Sequence, residues 1–216
     1  MRGGTDWGQV LLLVGIIMPS IILHEVSHGW TALAFGDDTA KRAGRLTLNP
    51  VAHIDPFGTV LLPLLLAVSG VGVFGYAKPV PVNVRRLRDP RQHSLYVSLA
   101  GPATNLAIAG VAALLLRGSA SVVFVGDQFL LRDDLGVEIL FYAGFLNVLL
   151  AIFNLIPIPP LDGSALIERF MPARWLPSYY RVRQYSVLLL LGVFLLINRY
   201  GNVLLEPAVW LWRQYL

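Results

Sequence analysis

Residues 9–34 read QVLLLVGIIMPSIILHEVSHGWTALA, an apolar run with two histidines and a glutamate in its second half. About 20 such residues in a helix cross the hydrocarbon core of a bilayer, so the stretch reads as a transmembrane helix. It has no small-residue cleavage site and carries HEVSH where a signal peptide would be ending, so it is expected to be a retained span. Each ionisable group at mid-membrane costs roughly 2.5 kcal/mol or more, which makes HEVSH a functional candidate from the outset.

The rest of the chain agrees with a membrane protein. Of 216 residues, 56% are hydrophobic and 14% charged, with mean hydropathy +0.64; soluble domains carry about a quarter charged residues. The expected organisation is one integral membrane domain over residues 1–216, with a core at about 9–170 and no room for a separate soluble domain. The net charge of +4 does not point to nucleic acid, because the basic residues lie between apolar segments, where membrane orientation explains them. With no cysteine, disulfides, thiolate nucleophiles and cysteine metal ligands are excluded.

Apolar segments recur at 57–74, 94–117, 136–156 and about 184–204. The fold class is therefore an all-α membrane protein, a multi-span helical bundle. The second segment, FGTVLLPLLLAVSGVGVF, is broken by Pro63 and glycines and bracketed by proline-rich loops. If it dips in and returns, 12 of the 17 basic residues share one side of the membrane, and the positive-inside rule makes that side cytoplasmic. A re-entrant, partly strand-like element is expected here, and such an element is tolerated only beside protein or a wet cavity. AGRLTLNP (43–50) and AKPVPVN (77–83) are the strand-like stretches, able to form a small sheet edge and hold a substrate by strand addition. The aromatic tail, EPAVWLWRQYL, suits the headgroup level or the frayed end of the last helix.

On a helix His24 and His28 project from one face, the spacing two imidazoles need to share one zinc ion. Glu25, offset by one position, can act as a general base without becoming a ligand. A catalytic zinc typically takes a third protein ligand. Asp162 is the candidate, since it follows a helix broken by Pro157, Pro159 and Pro160, and Gly163 after it is expected to let the backbone turn. Its simpler role is a cap for GSALIERF. His28 and Asp162 can share an ion only if the second segment does not cross. Asn154 could donate to a developing oxyanion or make an interhelical hydrogen bond. Of the remaining polar residues, His53 is expected to be structural, Asp55 a cap, His93 solvated and interfacial, Gly101 and Ala103 close-packing, and Asn105 an interhelical hydrogen-bonder.

HEVSH in the first span, AGPATNLAIAG in the third segment and NLIPIPPLDG closing the fourth resemble the signature elements of the site-2 proteases, intramembrane zinc metalloproteases. GRLTLNPVAHIDPFGT and FGYAKPVPVN resemble the compact prokaryotic subgroup that lacks PDZ and CBS domains. The resemblance implies one zinc ion per chain on His24, His28 and Asp162, with Glu25 as catalytic base and Asn154 in contact with substrate. It implies cleavage within transmembrane segments of other proteins; the basic loops, with the second segment re-entrant, put the site towards the cytoplasmic side of what is expected to be a prokaryotic plasma membrane. The competing class is a non-proteolytic zinc-binding transporter or assembly factor, since intramembrane ionisable groups also mark ion paths. No repeated half is present, and a non-ligand base has no role in simple transport.

Overall fold

The computed structural model describes residues 7–62, 64–65, 76–119, 122–125, 128–131, 134–200 and 202–216. Helices α1 (Trp7–Ala34) and α2 (Thr39–Arg42) are followed by short turns at Pro50–His53 and Pro56–Leu61. Then come α3 (Pro90–Ser119), a hairpin of β1 (Val122–Val125) and β2 (Gln128–Leu131), and α4 (Leu135–Asn154). The chain ends in α5 (Ser164–Phe170), α6 (Leu176–Arg183), α7 (Ser186–Tyr200) and α8 (Asn202–Tyr215). Among the described residues α1, α3 and α4 are long and apolar enough to cross a membrane.

Large apolar side chains face outward, with Leu11, Leu114, Leu188 and Leu196 at least 60% exposed, while Ser20, Asn105 and Asn147 are buried. That arrangement suits lipid, where the interior is held by packing and interhelical polar contacts. Asn147 of α4 donates to Ser20 Oγ of α1 at 2.8 Å and to its own Ala143 carbonyl at 2.7 Å.

The order of contacts gives the helix directions. Ser20 meets Asn147, and His24 meets Asp162, beyond the end of α4, so α1 and α4 run parallel. His28 meets Val97, and His24 lies against Gly101, so α3 runs opposite to α1. The end of α1, the start of α3 and the end of α4 therefore share one end of the bundle.

Between α1 and α3 the chain returns to where it left. Arg88 N–H donates to the Phe35 carbonyl (3.0 Å) and Asn83 N–H to Asp37 Oδ2 (2.6 Å). Asp37 is fully buried. Burial alone would raise its pKa, but hydrogen bonds from Thr39 and Asn83 and the charge of Arg86 hold it below the usual carboxylate range. The second apolar segment is closed in the same way: Tyr76 N–H donates to the Gly58 carbonyl (3.0 Å) and Thr59 Oγ to the Tyr76 carbonyl (3.0 Å). A segment whose flanks bond to one another starts and ends at one depth, as the re-entrant reading requires; residues 66–75 lie outside the described residues.

Several expectations are corrected. The stretches at 43–50 and 77–83 form no strand; among the described residues the two strands are β1 and β2, in the α3–α4 connection, paired Val122↔Leu131 to Val125↔Gln128. Proline at 79 and 81 removes the donors a ladder needs, whereas VVFV is made of β-formers and QFLL pairs with it without a proline. His93 stacks on Phe35 at 4.0 Å, and its Nδ1 accepts from Asp89 N–H (3.0 Å) while Asp89 Oδ1 accepts from Gln92 N–H (3.0 Å), so it belongs to the start of α3. The last apolar segment is a helix of only 15 residues, α7, about 22 Å long at 1.5 Å per residue. In the tail, α8 is not interfacial at Trp212, which is fully buried against Phe141 at a ring separation of 5.9 Å. Arg117, near the end of α3, donates to the Leu216 carbonyl at 2.8 Å, which sets the C-terminus at the end opposite His28.

Asp55 caps its turn as expected, accepting from Phe57 N–H (3.0 Å) and Gly58 N–H (2.7 Å). A testable topology follows. Single cysteines in residues 35–56 and 76–93, introduced into a chain that has none, should react with an impermeant reagent from the same side, and cysteines at either terminus from the other. Opposite labelling of the two loops would overturn the re-entrant arrangement.

Candidate metal centre

His24 and His28 lie one turn apart on α1, both buried, with ring centroids 4.7 Å apart and ring planes at 86°. Asp162 reaches them from the turn after α4: Oδ2 is 3.1 Å from His24 Nε2, and Oδ1 is 3.4 Å from His28 Nε2. One ligand atom from each of the three lies within 4.8 Å of the others. Asp162 does not cap α5, whose N-cap is Gly163 with no side-chain hydrogen bond.

Three observations test whether these residues fit an ion. The donor set is two imidazole nitrogens and one carboxylate, which suits a zinc site that leaves a position for water. His28 Nδ1 lies 2.6 Å from the Val97 carbonyl, which can only accept, so the ring proton sits on Nδ1 and Nε2 is free to ligate. A Cβ on Gly101 would lie 2.4–2.6 Å from His24 Cε1, His24 Nε2 and His28 Nε2. Only glycine leaves that space beside the ligating nitrogens. The fit is good.

Asp162 is positioned by backbone. Gly163 N–H donates to the Asn154 carbonyl at 2.7 Å, folding the turn back onto the end of α4, and Pro159–Pro160 is cis. Gly163 has φ −57°, an ordinary value, so it is not there for a left-handed turn. Its Cβ would stand 2.2 Å from the Leu155 carbonyl oxygen. Close approach of backbone to backbone is the reason for glycine.

Glu25 is half-buried, and one carboxylate oxygen accepts from Val80 N–H at 2.9 Å. The extended stretch after Tyr76 thus touches the candidate base directly, a link that HEVSH alone does not reveal. Lys78 N–H donates to the His53 carbonyl (2.9 Å), and the Lys78 carbonyl accepts from Arg45 (2.6 Å). Ala77 N–H and C=O have no protein partner among the described residues. His53 is buried, with Nε2 2.9 Å from the Thr47 carbonyl, as expected of a structural residue.

His24, Glu25, Ala77, Asn105 and Asn154 line a cavity of about 300 Å³. Asn154 also donates to the Leu150 carbonyl one turn back at 3.0 Å. Asn105 makes no interhelical hydrogen bond among the described residues, contrary to expectation.

The profile of Peptidase family M50 matches residues 130–197. Several proteins that carry the name "Putative zinc metalloprotease" are similar in sequence. YwhC of Bacillus subtilis is 38% identical over 198 residues, covering 91% of this chain and 85% of that one. Rip2 of Mycolicibacterium smegmatis is 37% identical over 164 residues, covering 74% of this chain and 56% of that one. Zinc metalloprotease MJ0392 of Methanocaldococcus jannaschii is 22% identical over 175 residues, 81% of this chain and 38% of its own. No solved structure gives a significant match.

Proposed function

The chain belongs to peptidase family M50 and is a zinc metalloprotease, and on that premise we propose that it cuts peptide bonds inside the transmembrane segments of other membrane proteins. The observation that carries the reading is the convergence of His24, His28 and Asp162 on one another, with His24 and its neighbour Glu25 lining a cavity in a bundle with an apolar exterior. His24, His28 and Asp162 would hold one zinc ion, which when bound would supply Lewis acidity towards a water molecule and the scissile carbonyl. Glu25 takes a proton from the attacking water and delivers it to the amine that leaves as the C–N bond breaks. Val80 N–H holds one oxygen of Glu25 and so orients the carboxylate.

A helical substrate hides its carbonyls in i to i−4 hydrogen bonds and must unwind first. Its freed peptide groups pair with Ala77, and Asn154 contacts them from α4. The centre lies at the end of the bundle that holds most of the basic loops, so it faces the cytoplasm in a plasma membrane.

The test is incubation of purified protein with a panel of single-span membrane proteins. Cuts should fall within the spans and disappear with a zinc chelator. Cleavage only in soluble tails, or cleavage that survives chelation, contradicts the proposal. Metal content tests the ligands: about one zinc ion per chain, lost when His24, His28 or Asp162 becomes alanine. Full occupancy in the Asp162→Ala protein would remove Asp162 from the set.

A further inference from the structure

Between α5 and α7 the chain crosses the basic end of the bundle without sending a side chain into the core. Neither the turn Ala173–Trp175 nor α6 buries a residue. Phe170 is 76% exposed, Trp175 58%, Tyr185 55%, Val182 51% and Tyr180 49%. The segment is nonetheless fixed in place. Arg91, at the start of α3, donates to the Arg169 carbonyl (3.1 Å) and the Met171 carbonyl (2.7 Å), and Tyr179 OH donates to the Ser164 carbonyl (3.4 Å). Arg91 precedes Gly101, which lies against His24, by about 15 Å of helix. The segment therefore sits at the rim of the bundle, clear of the metal centre.

Its side chains suit neither water nor hydrocarbon. In water the aromatic residues would form an exposed apolar patch; in hydrocarbon the arginines among them would be stripped of hydration at high cost. The headgroup layer accommodates both, the rings at the level of the glycerol and the guanidinium groups among the phosphates. Residues 163–185 carry Arg169, Arg174, Arg181 and Arg183 against Glu168 alone. Glu168 is spent on Arg183, at 2.7 Å. Arg174 has no hydrogen-bond or ion-pair partner among the described residues, and Arg181 meets only the Ser178 hydroxyl at 3.1 Å. Two arginines flanking Trp175 and Tyr180 thus keep their charge uncompensated by protein.

We infer that residues 170–185 form a docking surface for anionic phospholipid headgroups, with Arg174 and Arg181 on the headgroup charge and Trp175 and Tyr180 seated beside it. The segment runs directly into α7, whose Ser186, Val187 and Leu190 wall the cavity that holds Glu25. Bound headgroups would fix the level at which that wall enters the membrane. The inference is independent of what the cavity cuts.

Trp175 is the reporter, and because the chain has five tryptophans its emission is taken as the difference between the full chain and the Trp175→Phe protein. Both are reconstituted, zinc-loaded, into phosphatidylcholine vesicles containing phosphatidylglycerol, with one lipid or the other brominated. Near-surface attraction of anionic lipid amounts to about fivefold per arginine, so phosphatidylglycerol should occupy the site beside Trp175 about tenfold or more in preference to phosphatidylcholine. The preference should collapse in about 1 M salt. Arg174→Gln combined with Arg181→Gln should bring it close to unity with zinc content unchanged, while the Arg174→Lys and Arg181→Lys pair should keep most of it. Equal quenching by the two lipids in the unsubstituted chain would overturn the inference, as would a preference that survives high salt or the double glutamine change. Trp175 quenched by neither lipid would mean that the segment faces water, and quenching that falls as protein density rises would mean that a second copy covers it; either result also overturns the inference. Should the glutamine pair lose zinc or helicity, the salt series on the unsubstituted chain and the lysine pair still decide.

Discussion

Glu25→Gln is expected to reduce peptide-bond cleavage by at least about 10²-fold while leaving zinc content and thermal unfolding unchanged. The geometry makes this separation clean. Glu25 accepts a hydrogen bond from Val80 N–H at 2.9 Å, and the side-chain carbonyl of glutamine can accept the same bond. The stretch 76–80 therefore stays anchored to α1, and His24 and His28 are untouched. What is lost is the capacity to take a proton, since an amide is not basic enough to accept one from water near neutral pH. Activity and metal content measured on the same preparation provide the check. Retained cleavage would remove Glu25 as the base, and lost zinc would mean that the residue also supports the metal ligands.

Much of this centre is legible in the sequence because its chemistry depends on spacing within single elements. HEVSH sets two imidazoles on one helix face wherever the helix runs, and a carboxylate after a proline-broken helix is free to point away from its own segment. The pairing of His24 with Asp162 follows once the second apolar segment is taken to return, and the Gly58–Tyr76 hydrogen bond closes that segment. Less legible is whatever depends on tertiary approach. Nothing local marks Val80 N–H as the partner of Glu25, because the two are 55 residues apart. Asn105 reads as ordinary helix glue until its neighbours are seen to leave it unpaired. Trp212 reads as an interfacial aromatic because aromatic residues near chain ends usually are. It is buried because Gly144 leaves a notch in α4 where a Cβ would stand 1.9 Å from the indole. The hairpin between α3 and α4 escapes notice because its two strands are only four residues each, too short for a periodic signal.

Gly163→Ala is expected to be among the most damaging single-methyl changes at the centre. The new Cβ would lie 2.2 Å from the Leu155 carbonyl oxygen, 2.5 Å from its carbon and 2.7 Å from the Ile156 carbonyl oxygen. All three are backbone atoms at the end of α4, so no side-chain rotation relieves the contact. The turn must move by roughly an ångström to restore normal separation. That movement strains the Gly163–Asn154 hydrogen bond and carries the adjacent Asp162 with it. Sites of this kind tolerate about 0.5 Å of displacement, and 1 Å can cost about 10²-fold in rate. Zinc affinity should therefore fall by about tenfold or more and cleavage by about 10²-fold, with the helices themselves intact because φ at 163 is compatible with alanine. Gly15→Ala is the matched control, since nothing lies within 4 Å of its added Cβ on the same helix as the two histidines. It should change neither zinc content nor activity. Zinc titration and circular dichroism on the two proteins decide the matter. Full zinc affinity in Gly163→Ala would mean that the turn relaxes without moving Asp162. Lost helicity would mean that the glycine serves the fold rather than the metal.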